Sequence, residues 1–187
     1  MKIFNIILFV CIMGSAFAQE SKYKAKKTKP TYEEVKGERN KYVKKVMKNT
    51  YGLYNKRNKL LGTDSDYMLR DTHRTAWKSI NLNNKKLLDL YMKTYIAPWL
   101  KENKNKYKHH ESIAVYIFGD MDGNIIELGL RCPKELKIPI SAYEEFEQAL
   151  LSGELKLFTD KENPIFKNST WVVQTIRYRP ETIRNME

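Results

Sequence analysis

The chain has 187 residues, with 34 Lys+Arg against 22 Asp+Glu and a formal net charge of +12. Apolar residues make up 42% and charged residues 30%, an ordinary globular mixture that excludes wholesale disorder, collagen and a disulfide-stapled mini-protein. The length suits one domain, or two very small ones.

Residues 1–18, MKIFNIILFVCIMGSAFA, read as a secretory signal. Lys2 gives a positive start, Ile3 to Met13 is apolar apart from Asn5, and Ala16-Phe17-Ala18 is the small-x-small pattern of a cleavage site. The apolar run is too short to span about 30 Å of hydrocarbon. Cleavage after Ala18 leaves 169 residues beginning at Gln19 and removes Cys11, so Cys132 stands alone. A lone cysteine in an oxidising compartment is expected to be buried and inert. A chain with no internal disulfide fits the periplasm of a Gram-negative bacterium better than an animal extracellular fluid. The expected organisation is a signal peptide at 1–18, a flexible basic arm at 19–30 and a single α+β domain at 31–187.

The charge is uneven. Glu20 to Lys59 carries 14 Lys+Arg and 4 acids, whereas Leu61 to Glu187 carries 19 and 18. Residues 21–30, SKYKAKKTKP, have almost nothing to bury.

Thr31-Tyr32-Glu33-Glu34 has the form of a capping box, and Tyr32, Val35, Tyr42, Val46 and Met47 follow at near-helical spacing. This predicts a helix over about 31–48, weakened by Gly37. One or two short helices are expected over 50–82. The next helix starts at Asn83 or Asn84, either a good N-cap, with Leu87, Leu88, Leu90, Tyr91, Tyr95, Ile96, Trp99 and Leu100 on its apolar stripe. Pro98 must kink or end it. Ile113–Phe118 and the alternating Ile126, Leu128 and Leu130 are two strands joined at Asp120-Met121-Asp122-Gly123-Asn124, a hairpin. Ser141-Ala142-Tyr143-Glu144 reads as a second capping box, opening a helix striped by Tyr143, Phe146, Ala149 and Leu150 and stopped at Gly153. Leu155–Thr159 and Thr170–Tyr178 are strands. The fold class is therefore α+β, with N-terminal helices packed on one face of an antiparallel sheet and a C-terminal order β-β-α-β-β.

From about Asn84 to Arg179 this order resembles the C-terminal domain of the TonB energy-transducer family, with Pro98, Asp122-Gly123 and the Tyr143–Leu150 stripe as the matching positions. That resemblance implies peptide binding by strand addition at a sheet edge. The chain also resembles small secreted domains of unknown function from Gram-negative gut bacteria. A cystatin-like fold, a helix wrapped by an antiparallel sheet, is equally compatible.

Chemical motifs are sparse. Asp120-x-Asp122-Gly123-Asn124 shares the opening of a calcium loop, but an EF-hand needs Gly sixth and Glu twelfth, where this chain has Ile125 and Arg131. His109-His110-Glu111 would point its imidazoles to opposite faces of a strand. Asp71 and His73 are the right pair of types for a general base with an orienting carboxylate. Neither a phosphate-cradling glycine loop nor a metal-ligand cysteine spacing occurs in the sequence, so no cofactor and no metal are expected. Glu144, Glu145 and Glu147 read as acids in the first turns of a helix.

The distinctive feature is the basic stretch: Lys22, Lys24, Lys26, Lys27 and Lys29, then Lys41, Lys44, Lys45 and Lys48, interleaved with tyrosines. The composition is also that of nucleic-acid binders, but secretion favours anionic lipid head groups, lipopolysaccharide or acidic glycans. The expected function is a secreted, non-enzymatic binding protein of the envelope. It would use the basic region for an anionic surface and a sheet edge or groove for a peptide or other ligand. The alternative is a small periplasmic hydrolase built on Asp71 with His73, or on His109.

Overall fold

A computed structural model describes residues 29–61, 79–102, 111–160, 162–166 and 169–186. The first correction comes at once. Residues 31–48 form no helix but two strands, β1 (Thr31–Lys36) and β2 (Lys41–Val46), paired antiparallel with Val35 opposite Tyr42. The apolar residues that suggested a helical period also fit a period of two: Tyr42, Lys44 and Val46 share one face of β2. Thr, Tyr and Val favour a pleated strand. Gly37, awkward in a helix, lies where the chain leaves β1, and a Cβ there would sit 2.8 Å from the Tyr42 ring and 2.9 Å from Glu144 Oε2.

β3 (Thr50–Asn55) stands where short helices were expected over 50–82. Its Tyr51, Leu53 and Asn55 are buried and alternate with half-buried residues. The Thr31 capping box does not form, and Glu34 instead pairs with Lys41 at 3.5 Å and with Lys56.

The chain continues through β4 (Ile80–Leu82) to α1 (Lys85–Tyr91), capped by the Asn84 side chain accepting from the Leu87 amide at 3.0 Å. A π-helical turn, Met92–Ile96, leads into α2 (Ala97–Glu102). Pro98 explains the turn: it has no N–H, and its ring crowds the carbonyl one turn back, so the helix widens just before it.

β5 (Ile113–Asp120) and β6 (Ile125–Pro133) form the expected hairpin. Asp120 Oδ1 accepts the amides of Asp122 at 2.9 Å and Asn124 at 2.8 Å, and Gly123 takes φ +89°. The Asp120 carboxylate thus serves the turn itself. After α3 (Ile140–Leu151) come β7 (Leu157–Thr159), β8 (Trp171–Tyr178) and α4 (Pro180–Arg184). α3 is capped without a side chain, its N-cap being Pro139, so the Ser141 capping box does not form either.

The fold is α+β, with a six-stranded antiparallel sheet ordered β1-β2-β3-β6-β5-β8 and a two-stranded sheet β4-β7. Strands stand at 31–55 where N-terminal helices were expected, four strands precede the first described helix, and a helix, α4, follows the last strand of the C-terminal run β5-β6-α3-β7-β8. The residues of one sheet face, among them Tyr42, Leu53, Leu130 and Val115, join Leu88, Ile96, Tyr143 and Phe146 of the helical segments in a single buried cluster. Among the described residues no helix is long and apolar enough to cross a membrane.

Candidate functional site

Helix α3 organises two openings, one at each end. Tyr143, Phe146 and Leu150 recur at i, i+3 and i+7 and are fully buried. The same stripe carries Glu147, 2% exposed, and its neighbour Glu144 is 3% exposed. Two buried carboxylates must be compensated by hydrogen bonds.

Glu144 is compensated by backbone. It accepts the amides of Glu38 (2.7 Å), Arg39 (3.1 Å) and Asn40 (2.8 Å), three of the four residues between β1 and β2. Two-residue hairpin loops usually take positive φ to match the twist of their strands. Neither Glu38 nor Arg39 does so. The carboxylate supplies the acceptors for this unfavoured turn. Burial pushes the Glu144 carboxyl up, but the amides of Glu38, Asn40 and Arg39 outweigh it and hold it below the ordinary glutamate value.

Glu147 is compensated by side chains. Tyr42 donates to its Oε2 at 2.8 Å and Asn55 Nδ2 at 3.1 Å. Burial pushes its carboxyl up, Tyr42 and Asn55 offset only part of that, and the Glu144 charge adds to it. The two acids are therefore driven apart, Glu144 down and Glu147 up. Tyr42, its ring edge-on to Tyr143 at 5.4 Å, joins them.

At the N-terminal end of α3, beside Ile140, a groove of about 460 Å³ opens between β1–β3 and the 134–140 segment. Val35, Val46, Leu53, Leu136 and Ile138 give it apolar walls. Lys44, Lys134 and Lys137 line it with one acid, Glu33, which pairs with Lys44 at 3.6 Å. Lys134 and Lys137 are exposed. Tyr51 closes the floor, its hydroxyl accepting the Ile138 amide at 3.3 Å. Beneath lies Cys132, opposite Tyr51 in the sheet and fully buried; burial raises its thiol to about 12. The expected burial of this cysteine is observed, and burial disfavours the thiolate, which is the reactive form.

At the other end, beside Gln148 and Leu151, a cleft of about 280 Å³ is lined by Glu147 together with Asn40, Asn55, Arg57 and Asn58. Among the described residues no group of three His, Cys, Asp or Glu is placed to hold a metal ion.

The lysines singled out in the sequence are dispersed. Lys44 faces the groove, with its Nζ 5.5 Å above the Tyr51 ring. Lys45 is on the opposite face of β2, 5.7 Å above the Tyr32 ring. Lys41 pairs with Glu34, while Lys29 and Lys48 are exposed. Lys22, Lys24, Lys26 and Lys27 lie outside the described residues, as do the signal segment, Asp71, His73, His109 and His110. Sequence reasoning missed Lys134, Lys137 and the burial of Glu144 and Glu147. One signal was present: position 147 falls on the Tyr143–Phe146–Leu150 stripe, so an acid there had to be buried.

No protein-family model matches the chain, and no curated protein matches it. A crystal structure of a DUF5043 family protein from Bacteroides uniformis ATCC 8492 shares the fold, with a TM-score of 0.58 at 18% identity over 83% of this chain and 93% of that one. Bacteroides is a gut bacterium, so the likeness to domains from gut bacteria has a structural counterpart. The comparisons bring no support for the TonB resemblance.

Proposed function

We propose that the protein is a non-enzymatic binding protein, secreted to the bacterial envelope. Its groove beside Ile140 takes an amphipathic anion, an acyl chain with one acidic head group. The observation that carries this reading is the groove's composition: aliphatic walls with lysines on the rim, and its single acid paired with Lys44. Its volume falls in the range of small-molecule sites, roughly 300–1,000 Å³. Apolar walls supply affinity in proportion to the chain they bury, and the lysines select the charge of the head group. The basic segments, including Lys29 and Lys48, hold the protein near an anionic surface that is the source of such molecules.

The test is displacement of anilinonaphthalene sulfonate, an amphipathic anion that brightens in apolar sites. Dodecanoate should displace it and the neutral dodecanol should do so poorly. The double variant Lys134→Glu/Lys137→Glu, on an exposed segment, should bind both anions at least tenfold more weakly. Binding that ignores the charge reversal sinks the reading.

A further inference from the structure

The geometry points to a second binding site, in the cleft at the C-terminal end of α3, built for a neutral polyhydroxylated ligand such as a sugar ring. It is separate from the groove and independent of what the groove binds, because the two openings share no lining residue.

The cleft's polar groups are half used, and each used half fixes the other. Glu147 takes both of its hydrogen bonds on Oε2, from Tyr42 and Asn55, so Oε1 is left to the cleft, an acceptor when the carboxyl is ionised and a donor when it carries the proton. Asn58 donates through Nδ2 to the Leu128 carbonyl at 2.7 Å, leaving its carbonyl oxygen. Gln148 accepts from the Arg39 guanidinium through Oε1, leaving its Nε2 as a donor. Arg57 adds donors from the loop after β3. The site thus offers acceptors and donors side by side, held in place before any ligand arrives, which lowers the ordering cost of binding. A hydroxyl both donates and accepts, so a ring carrying adjacent hydroxyls matches such an alternation.

Charge and shape narrow the class. Glu127, also at the cleft, has its carboxylate occupied by the amides of Lys59 at 2.6 Å and Leu60 at 2.9 Å. Burial favours the uncharged form of Glu147. Glu127 carries a negative charge and Arg57 the opposite one, so the lining is close to neutral, which suits neither a strongly anionic nor a cationic ligand. Ile126 and Leu151 flank the cleft and are each 42% exposed, unusual for such side chains. They offer an apolar surface to the C–H face of a ring. The cleft's volume, at the lower end of the small-molecule range, suits one ring rather than a long chain.

The experiment uses the side-chain amide NMR signals of Asn55, Asn58 and Gln148, titrated with the methyl glycosides of glucose, galactose, mannose and fucose. At least one glycoside should shift these signals saturably in the millimolar range. Gln148→Ala and Arg57→Ala, neither in the buried core, should each weaken that binding about threefold or more, the worth of one hydrogen bond. Both variants should keep the wild-type backbone amide spectrum away from the cleft, which verifies that they fold. The proposal is overturned if no glycoside moves the three amides up to about 100 mM, a ceiling of affinity near 1–2 kcal/mol. It is equally overturned if both variants bind as the wild type does. Failure in the groove leaves this result unaffected, and the reverse holds.

Discussion

Asn40 donates its backbone N–H to Glu144 Oε1 at 2.8 Å across 104 positions of sequence. With the amides of Glu38 and Arg39, this ties the outermost hairpin of the sheet to the helix that covers its centre. β1 is the edge strand of the sheet, paired on one side only, with β2. Glu144→Gln replaces one acceptor oxygen with an amide NH2, a donor that faces donors. It should cost about 2–4 kcal/mol, since bonds to a charged acceptor contribute roughly 1.5–3 kcal/mol each and are only partly lost. Urea unfolding measures the cost. Hydrogen exchange should show the amides of 38–40 losing protection first; uniform loss across the sheet would deny the clamp its local role.

The pH dependence has two opposed parts. Glu144 is held below its ordinary value, so its contribution is present above the unfolded-state value near 4.5 and lost as pH falls through the folded value. Glu147 is held above, so its contribution is complete below about 4.5 and lost as pH rises through its folded value. Glu147→Gln keeps an acceptor for Tyr42 and Asn55 and removes the ionisation. It should therefore flatten the decline of stability above about pH 4.5, whereas Glu144→Gln should flatten the decline on the acid side. Urea midpoints across pH 3–8 separate the two. The same slope in Glu147→Gln and wild type above pH 5 would show that Glu147 does not titrate there.

The contrast between these acids and the β5–β6 hairpin shows what the sequence could reveal. Asp120 to Asn124 is read correctly because the turn's chemistry is local: Asp120 accepts from residues two and four positions on. Asn84 is likewise legible as a cap three residues from the amide that it serves. Residues 31–48 are misread because Tyr42 and Val46 fit either period, and pairing with the next strand, Tyr42 with Asn55 and Val46 with Tyr51 on β3, decides between them. Glu144 was read as a helix-dipole acid because its partners lie more than 100 positions upstream. Lys134 and Lys137 carried no signal, since their role depends on the strands that face them.

Two glycines with nearly the same backbone should respond differently to alanine. Gly123 has φ +89° and Gly153 φ +90°. A Cβ at Gly123 would lie 2.3 Å from the Leu157 carbonyl oxygen, whereas at Gly153 nothing lies within 4 Å. Gly153→Ala pays only the left-handed strain, about 1–2 kcal/mol. Gly123→Ala must also break the contact in which the Gly123 carbonyl accepts the Leu157 amide at 2.9 Å, and should cost at least about 1 kcal/mol more. Thermal or urea unfolding of the two variants decides this, and equal costs would rule out close backbone approach as the reason for Gly123.

The basic segments give the last test, of the surface-binding part of the proposed function. Removing residues 19–28 takes away Lys22, Lys24, Lys26 and Lys27 but none of the described strands. The thermal midpoint should stay nearly unchanged. Each lysine near an anionic bilayer contributes about 1 kcal/mol, so losing four should reduce binding to phosphatidylglycerol-containing vesicles by about two orders of magnitude or more. Lys45→Glu/Lys48→Glu should weaken it further, because Lys45 lies on β2 and Lys48 in the turn just after it, both following the segment closely. Sedimentation with vesicles at about 0.05 M and 0.5 M salt reads the electrostatic share, as screening shortens the range of these charges to a few ångströms at the higher value. A mature chain that fails to bind such vesicles at low salt, or binds equally at both, would remove the anionic surface from the proposal and leave the groove to stand by itself.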